Sequence, residues 1–253
     1  MRLTAKRKSK ARRDLTPIAI PTDELLVCEE FSRRVKLESH EFGGADVRSG
    51  GEVIRDADIA KVGEVALRRF IFERLRPDII VKVDLAIHTE EEKRRVIGGI
   101  EINDQKFKVK SIREGGSHLL VDLPYLQWAK KYSKLPDFFV AVEVGWDHAA
   151  KYAPTGWAKI HGFIAVSDVV NVEHIDGDVS LLCAGLTNAK LVREGGELGV
   201  TGLRLQAATC VVPCSRLSQD WIGVLRIQPG LFACEIAAEP EPVGSGIDWS
   251  ERH

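Results

Sequence analysis

Apolar and polar positions alternate most clearly over Phe107-Lys108-Val109-Lys110-Ser111. Successive side chains of a strand point to opposite faces, so Phe107 and Val109 share one face and Lys108 and Lys110 the other. Two lysines on a half-buried strand are costly unless anionic groups stand near them. Upstream, Ile59, Val62, Ala66 and Phe70 recur at helical spacing, with Leu67, Ile71 and Leu75 widening the stripe. The pattern predicts a helix from about 58 to 75, started by a cap at Asp56 or Asp58 and stopped at Pro77. Glu64 borders its apolar face, with Arg68 as an ion-pair partner. Strands are predicted at 79–87, 96–102, 106–112 and 118–121, and Asn103-Asp104 is a tight turn between the second and third. Asp84 lies in the largely apolar run of the first. A short helix at 125–132 leads through Pro136-Asp137 to strands at 138–144 and 157–164.

These elements predict an α/β or α+β core in which helices pack on a central mixed sheet. Four zones follow: a basic arm and N-terminal segment at 1–55, the core at 56–168, a β-rich accessory part at 169–238, and a disordered tail at 239–253. Gly43-Gly44 and Gly50-Gly51 read as turns in the first zone.

Composition changes the picture in two respects. At 253 residues and 44% hydrophobic, the chain can bury a sizeable core. Its 36 basic and 37 acidic residues nearly balance, yet seven of the basic ones crowd the first thirteen positions without an acid. A cationic arm on an acidic body suits a polyanionic partner, or is simply a solvated terminus. With no secretory apolar stretch and no run of roughly 18–20 apolar residues, a cytoplasmic protein is expected. Five cysteines without a repeating framework suit a reducing compartment. Cys210 and Cys214 form a lone C-x3-C, read as structural thiols because two further zinc ligands are lacking.

The order of elements resembles the PD-(D/E)xK nuclease superfamily, the restriction endonuclease-like fold, over residues 56–168. Gly63-Glu64 stands for the family's helical acid, Asp84 closes the first core strand, and Lys108-Val109-Lys110 takes the place of the acid-x-Lys, with Lys110 as its lysine. Asp78, in Pro77-Asp78, competes with Asp84 as first acid. Leu119-Leu120-Val121, Pro136-Asp137-Phe138-Phe139-Val140 and Ile160-His161-Gly162-Phe163-Ile164 look like the strands that follow in bacterial members. The resemblance implies a metal-dependent endonuclease that hydrolyses DNA, RNA being a further candidate, with Mg2+ or Mn2+ held by Asp84, Glu64 and Glu101. It implies a setting in restriction or antiviral defence and a homodimer that cuts both strands.

One departure matters. Lys108 stands where the family has Asp or Glu, and a lysine does not ligate magnesium. Either Glu101 or Glu64 fills the gap, or cleavage is lost and Lys108 and Lys110 bind phosphate in a non-catalytic nucleic-acid-binding or assembly protein. Arg113 and His118, with Ser117, flank a Gly-rich loop and could meet a phosphate. Lys130, Lys131 and Lys134, around Tyr132, suit a nucleic-acid backbone. There is no P-loop, dinucleotide fingerprint, serine-hydrolase elbow or HExxH motif.

Overall fold

The structure is a computed structural model that describes residues 16–41, 50–75, 79, 81, 83–86, 88, 92, 100–147, 153–198, 203–205 and 207–225. The basic arm, Asp78 and the C-terminal tail lie outside them. The chain is α+β: a curled mixed sheet of five strands carries helices on its faces, and a strand-rich C-terminal part follows.

The main sheet runs in the order β1-β6-β5-β3-β2. Its members are β1 (Ile18–Ala19), β2 (Ile100–Ile102), β3 (Gln105–Arg113), β5 (Phe138–Asp147) and β6 (Ala153–Ala165). Asn103 and Asp104 turn β2 into β3 with φ of 51° and 61°, the left-handed pair that a two-residue hairpin needs. β3 and β5 are parallel, from Phe107 opposite Phe138 to Arg113 opposite Val144. Asp137 fixes where they meet: its N–H donates to Lys106 O and its carboxylate accepts from Lys106 N, both at 2.8 Å. A parallel pair needs a crossover, which β4 (His118–Asp122) and α3 (Leu123–Lys131) supply.

β5 is buried from Phe139 to Trp146, so both its faces are covered. Val140, Val142 and Val144 belong to one core, and Phe139 and Ala141 to another. The first core lies under α2 (Gly50–Arg74), which α1 (Thr22–Glu41) covers in turn. An aromatic chain closes one end: Phe107 stacks on Phe138 at 5.2 Å, Phe138 meets Phe163 edge-on at 5.5 Å, and Trp221 sits 4.7 Å from Phe163 and 5.3 Å from Phe70. Trp221 opens the one-turn α4 (Trp221–Val224), where the Asp220 carboxylate accepts from Gly223 N at 3.1 Å. The second core lies under a three-stranded sheet, β4-β10-β7, with β7 at Lys190–Val192 and β10 at Thr209–Pro213. A separate hairpin joins β8 (Glu197–Leu198) to β9 (Leu203–Arg204). β1 and β10 carry the packing across the zone boundaries at 55 and 168.

The helix expected from about 58 begins instead at Gly50. Gly50-Gly51 therefore opens a helix rather than a turn, and Asp56 and Asp58 lie inside it. Packing of the 59–71 stripe on the sheet extends helix into a segment of weak local propensity.

Two glycines set the closeness of this packing. A Cβ at Gly63 would stand 2.0 Å from Ser111 Oγ and 3.3 Å from Val109 Cγ1, so α2 meets β3 at this point. Gly162, at φ +127°, has no room because Ser218 O would be 2.2 Å away, and this approach lets Phe163 and Ser218 exchange backbone hydrogen bonds. Gly63→Ala gains helix propensity but overpacks the joint, and should lower stability by about 1–3 kcal/mol in urea unfolding. Adding Ser111→Ala removes the closest atom and should restore part of the loss. A fully stable Gly63→Ala protein would contradict this packing.

Candidate functional site

The lysine face of β3 is the feature that local sequence places most firmly. Val109 and Phe107 enter the first core, under α2, so Lys108 and Lys110 point to the opposite face of the sheet, where α3 lies. There the Lys110 ammonium sits 4.7 Å from the centre of the Tyr125 ring and that of Lys108 5.9 Å. The aromatic face attracts both cations. Lys110 also faces the Asp122 carboxylate at 4.0 Å, the outer limit of an ion pair. Asp122 is held in turn by a hydrogen bond from Thr209 Oγ1 of β10, at 3.1 Å. Among the described residues no hydrogen bond or ion pair reaches the Lys108 ammonium.

The electrostatics follow from burial. Loss of hydration pushes both lysines below their ordinary value of 10.5. For Lys108 the charge of Glu64 partly offsets this and that of Lys61 adds to it. For Lys110, Asp122 offsets and Lys108 adds. Burial likewise pushes the Tyr125 hydroxyl up to about 12. Among the described residues, Asp122 is the one carboxylate that pairs with either cation of this face.

Glu64 is not paired with Arg68, which instead meets Glu24 at 2.6 Å. Lys61 takes Glu64, with Nζ 2.8 Å from Oε2 and both side chains nearly out of solvent at 12% and 13% exposed. The same ammonium donates to the backbone carbonyl of Asp84 and lies 4.7 Å over the Phe31 ring. A tethered ammonium thereby fills the space between a carboxylate and a carbonyl. The Lys61-x-x-Glu64 spacing, one helical turn, is the signal in the sequence that could have shown it.

Asp84 was expected to close a strand beside Lys110. Residues 79, 81 and 83–86 carry no strand, and β2 is the strand that pairs with β3 on that side. The Asp84 carboxylate accepts from Ala86 N at 2.9 Å and meets His88 Nε2 at 2.6 Å. Partial burial pulls this carboxyl up, but the hydrogen bonds of His88 and Ala86, with the charges of His88 and Lys61, outweigh it and hold it below the usual range. Glu101, opposite Lys106 on β2, is exposed.

Two of the three carboxylates expected to hold a divalent cation already have partners. Glu64 is engaged by Lys61 and Asp84 by His88 and Ala86. Among the described residues no three His, Cys, Asp or Glu side chains come together as metal ligands would.

The other expected contacts fall at two ends of β3. Arg113 pairs with Asp56 at 3.3 Å and lies over Trp146 at 5.3 Å. His118 Nδ1 meets Ser117 Oγ at 2.9 Å. Between them, Glu143 of β5 is buried and accepts from Gly115 N at 3.0 Å and meets His161 Nε2 at 2.8 Å, which ties the β3–β4 turn to β6. Burial opposes its ionisation, yet the Gly115 and His161 bonds and the Lys159 charge hold Glu143 below the usual carboxylate range. At the other end, Lys130 bonds Asp176 at 3.1 Å, and Lys131 lies 5.6 Å from the Tyr132 ring. Lys134, past the helix end, donates its N–H to Ala129 O at 2.6 Å. Gln127, Trp128, Lys131, Tyr132 and Asp176 line an open cleft of about 520 Å3.

No family model, curated protein or solved structure matches the chain. Among the described residues no helix is long and apolar enough to cross a membrane.

Burial with no ion pair among the described residues makes Lys108 a liability to the free protein. Lys108→Met keeps the stem's packing and leaves Glu64 still paired with Lys61, so it should stabilise the fold by about 1–2 kcal/mol at neutral pH. Because the folded value lies below 10.5, the native state binds fewer protons than the unfolded chain between the two values. Wild-type stability therefore rises with pH through that window, and the advantage of Lys108→Met shrinks to nothing above it. Urea unfolding of both proteins across that range checks the sign. A destabilised Lys108→Met protein would show that the ammonium is satisfied where it stands.

Proposed function

We propose that this chain binds the phosphodiester backbone of nucleic acid through Lys108 and Lys110 and does not cut it. The observation that carries the reading is the Lys108 ammonium, half-buried beside Lys110 and Tyr125 with no ion pair among the described residues. A phosphate at this face supplies the missing negative charge and accepts hydrogen bonds from both ammonium groups. Tyr125 backs the two stems and orients them, and Asp122 keeps Lys110 from turning away. The cleft beside Trp128 and Tyr132, whose rings stand 5.5 Å apart at an angle of 54°, offers aromatic surface next to Lys131. Such surface suits an unstacked base. DNA is the first candidate and RNA the second.

Hydrolysis is the lesser reading because its metal would need Glu64 and Asp84 freed from Lys61, His88 and Ala86 together.

The test is fluorescence anisotropy with labelled single- and double-stranded DNA and RNA over a salt series, alongside plasmid incubation with magnesium or manganese. Wild type should bind at least one oligonucleotide and leave plasmid intact. Lys108→Met and Lys110→Met should each weaken binding and reduce the slope of log affinity against log salt by about 1. Absence of binding to every oligonucleotide would overturn the proposal. Metal-dependent cutting that is lost in Asp84→Ala and Lys110→Ala would replace it with a nuclease.

A further inference from the structure

Cys210 was grouped by sequence with Cys214, four residues on, yet the fold gives it another neighbour. Cys183 Sγ lies 3.2 Å from Cys210 Sγ and 3.5 Å from the Val169 carbonyl oxygen. The two residues are 27 positions apart and both are free thiols. Cys210 sits in β10 between Val121 of β4 and Leu191 of β7, fully buried. Cys183 follows the 3-10 turn Val179–Leu181, next to the buried Leu182, and is itself only half-buried. Both ends of the contact are thus fixed by the second core, and Cys183 is the partly exposed residue of the two.

We propose that Cys183 and Cys210 are a redox-active dithiol that closes reversibly to a disulfide, with a low-molecular-weight disulfide such as oxidised glutathione as its oxidant. The sulfurs need to approach by about 1 Å to bond. The two thiols differ in a way that orders the steps. The hydrogen bond shared with Cys210 holds the Cys183 thiol below its usual range against partial burial, while that same bond, then burial, pushes Cys210 far above it. Cys183 therefore loses its proton first and is also the partly exposed residue. Its thiolate attacks one sulfur of glutathione disulfide, forming a mixed disulfide and expelling one glutathione thiolate. Cys210 then gives up its proton and attacks the Cys183 sulfur, which forms the internal bond and releases the second glutathione. Two electrons and two protons pass to glutathione, and excess reduced glutathione reverses both steps. The internal bond staples the 166–184 turns onto β10, and so onto the strand whose Thr209 holds Asp122 against the lysine face.

The experiment exposes the full chain to oxidised glutathione, blocks remaining thiols, and maps peptides without reduction. A Cys183–Cys210 linked peptide should appear with loss of two hydrogens from the intact mass, and dithiothreitol should remove it. Cys183→Ser and Cys210→Ser should each abolish the link, and Cys214→Ser should retain it. Because Cys210 is buried, Cys183→Ser is the variant that keeps the test sound if Cys210→Ser fails to fold. Links through Cys214 or Cys234, a mixed disulfide that stays on Cys183, or no oxidation at all would each overturn the proposal.

Discussion

The parallel contact between β3 and β5 is the constraint on which the molecule turns. It forces a crossover, so β4 and α3 must pass over one face of the sheet, while α2 and α1 cover the other. Alternation along β3 then divides the residues. Phe107, Val109 and Ser111 meet α2 at Gly63, where no side chain fits between helix and strand. Lys108 and Lys110 are left on the crossover side, under Tyr125, where among the described residues Asp122 alone pairs with one of them. A register slip of one residue would bury the lysines under α2 and expose Phe107. The apolar face therefore fixes the position of the cations, and the stability of the fold holds in place a feature that weakens it.

That tension separates this face from an ordinary lysine-bearing surface. Exposed lysines lose little on folding and need no partner. Lys108 loses hydration and, among the described residues, regains only the charge of Glu64 and the face of the Tyr125 ring. Glu64 itself is held by Lys61, which also grips the backbone at Asp84. Where the resemblance to a nuclease implied carboxylates around a metal, the chain has an internal ammonium, Lys61, beside Glu64 and the Asp84 carbonyl.

Local patterns were legible where one strand or helix decides them. The two faces of β3, the Asn103-Asp104 turn, the strands at β5 and β6 and the short helix α3 all follow from periodicity and turn chemistry within a few residues of their true bounds. The start of α2 was not, because nine residues before the apolar stripe become helical through tertiary packing that no cap residue announces. The apolar run before Asp84 reads as strand by composition, yet its described residues form none, since β2 already occupies the edge of β3. Contacts between distant segments were the least visible. Nothing in the spacing joins Cys183 to Cys210, Asp122 to Thr209 or Glu143 to His161, each of which depends on the order in which strands enter a sheet.

Among the described residues one carboxylate, Asp122, pairs with either of the two lysines, and a phosphate at their face is the central claim. Its most direct test is NMR titration of the Lys108 and Lys110 side-chain amino groups, with and without a short oligonucleotide. Both should titrate below 10.5 in the free protein, and both should move upward when the oligonucleotide binds, since a phosphate favours the charged form. Ordinary lysine titration in the free protein, unmoved by any oligonucleotide, would contradict it.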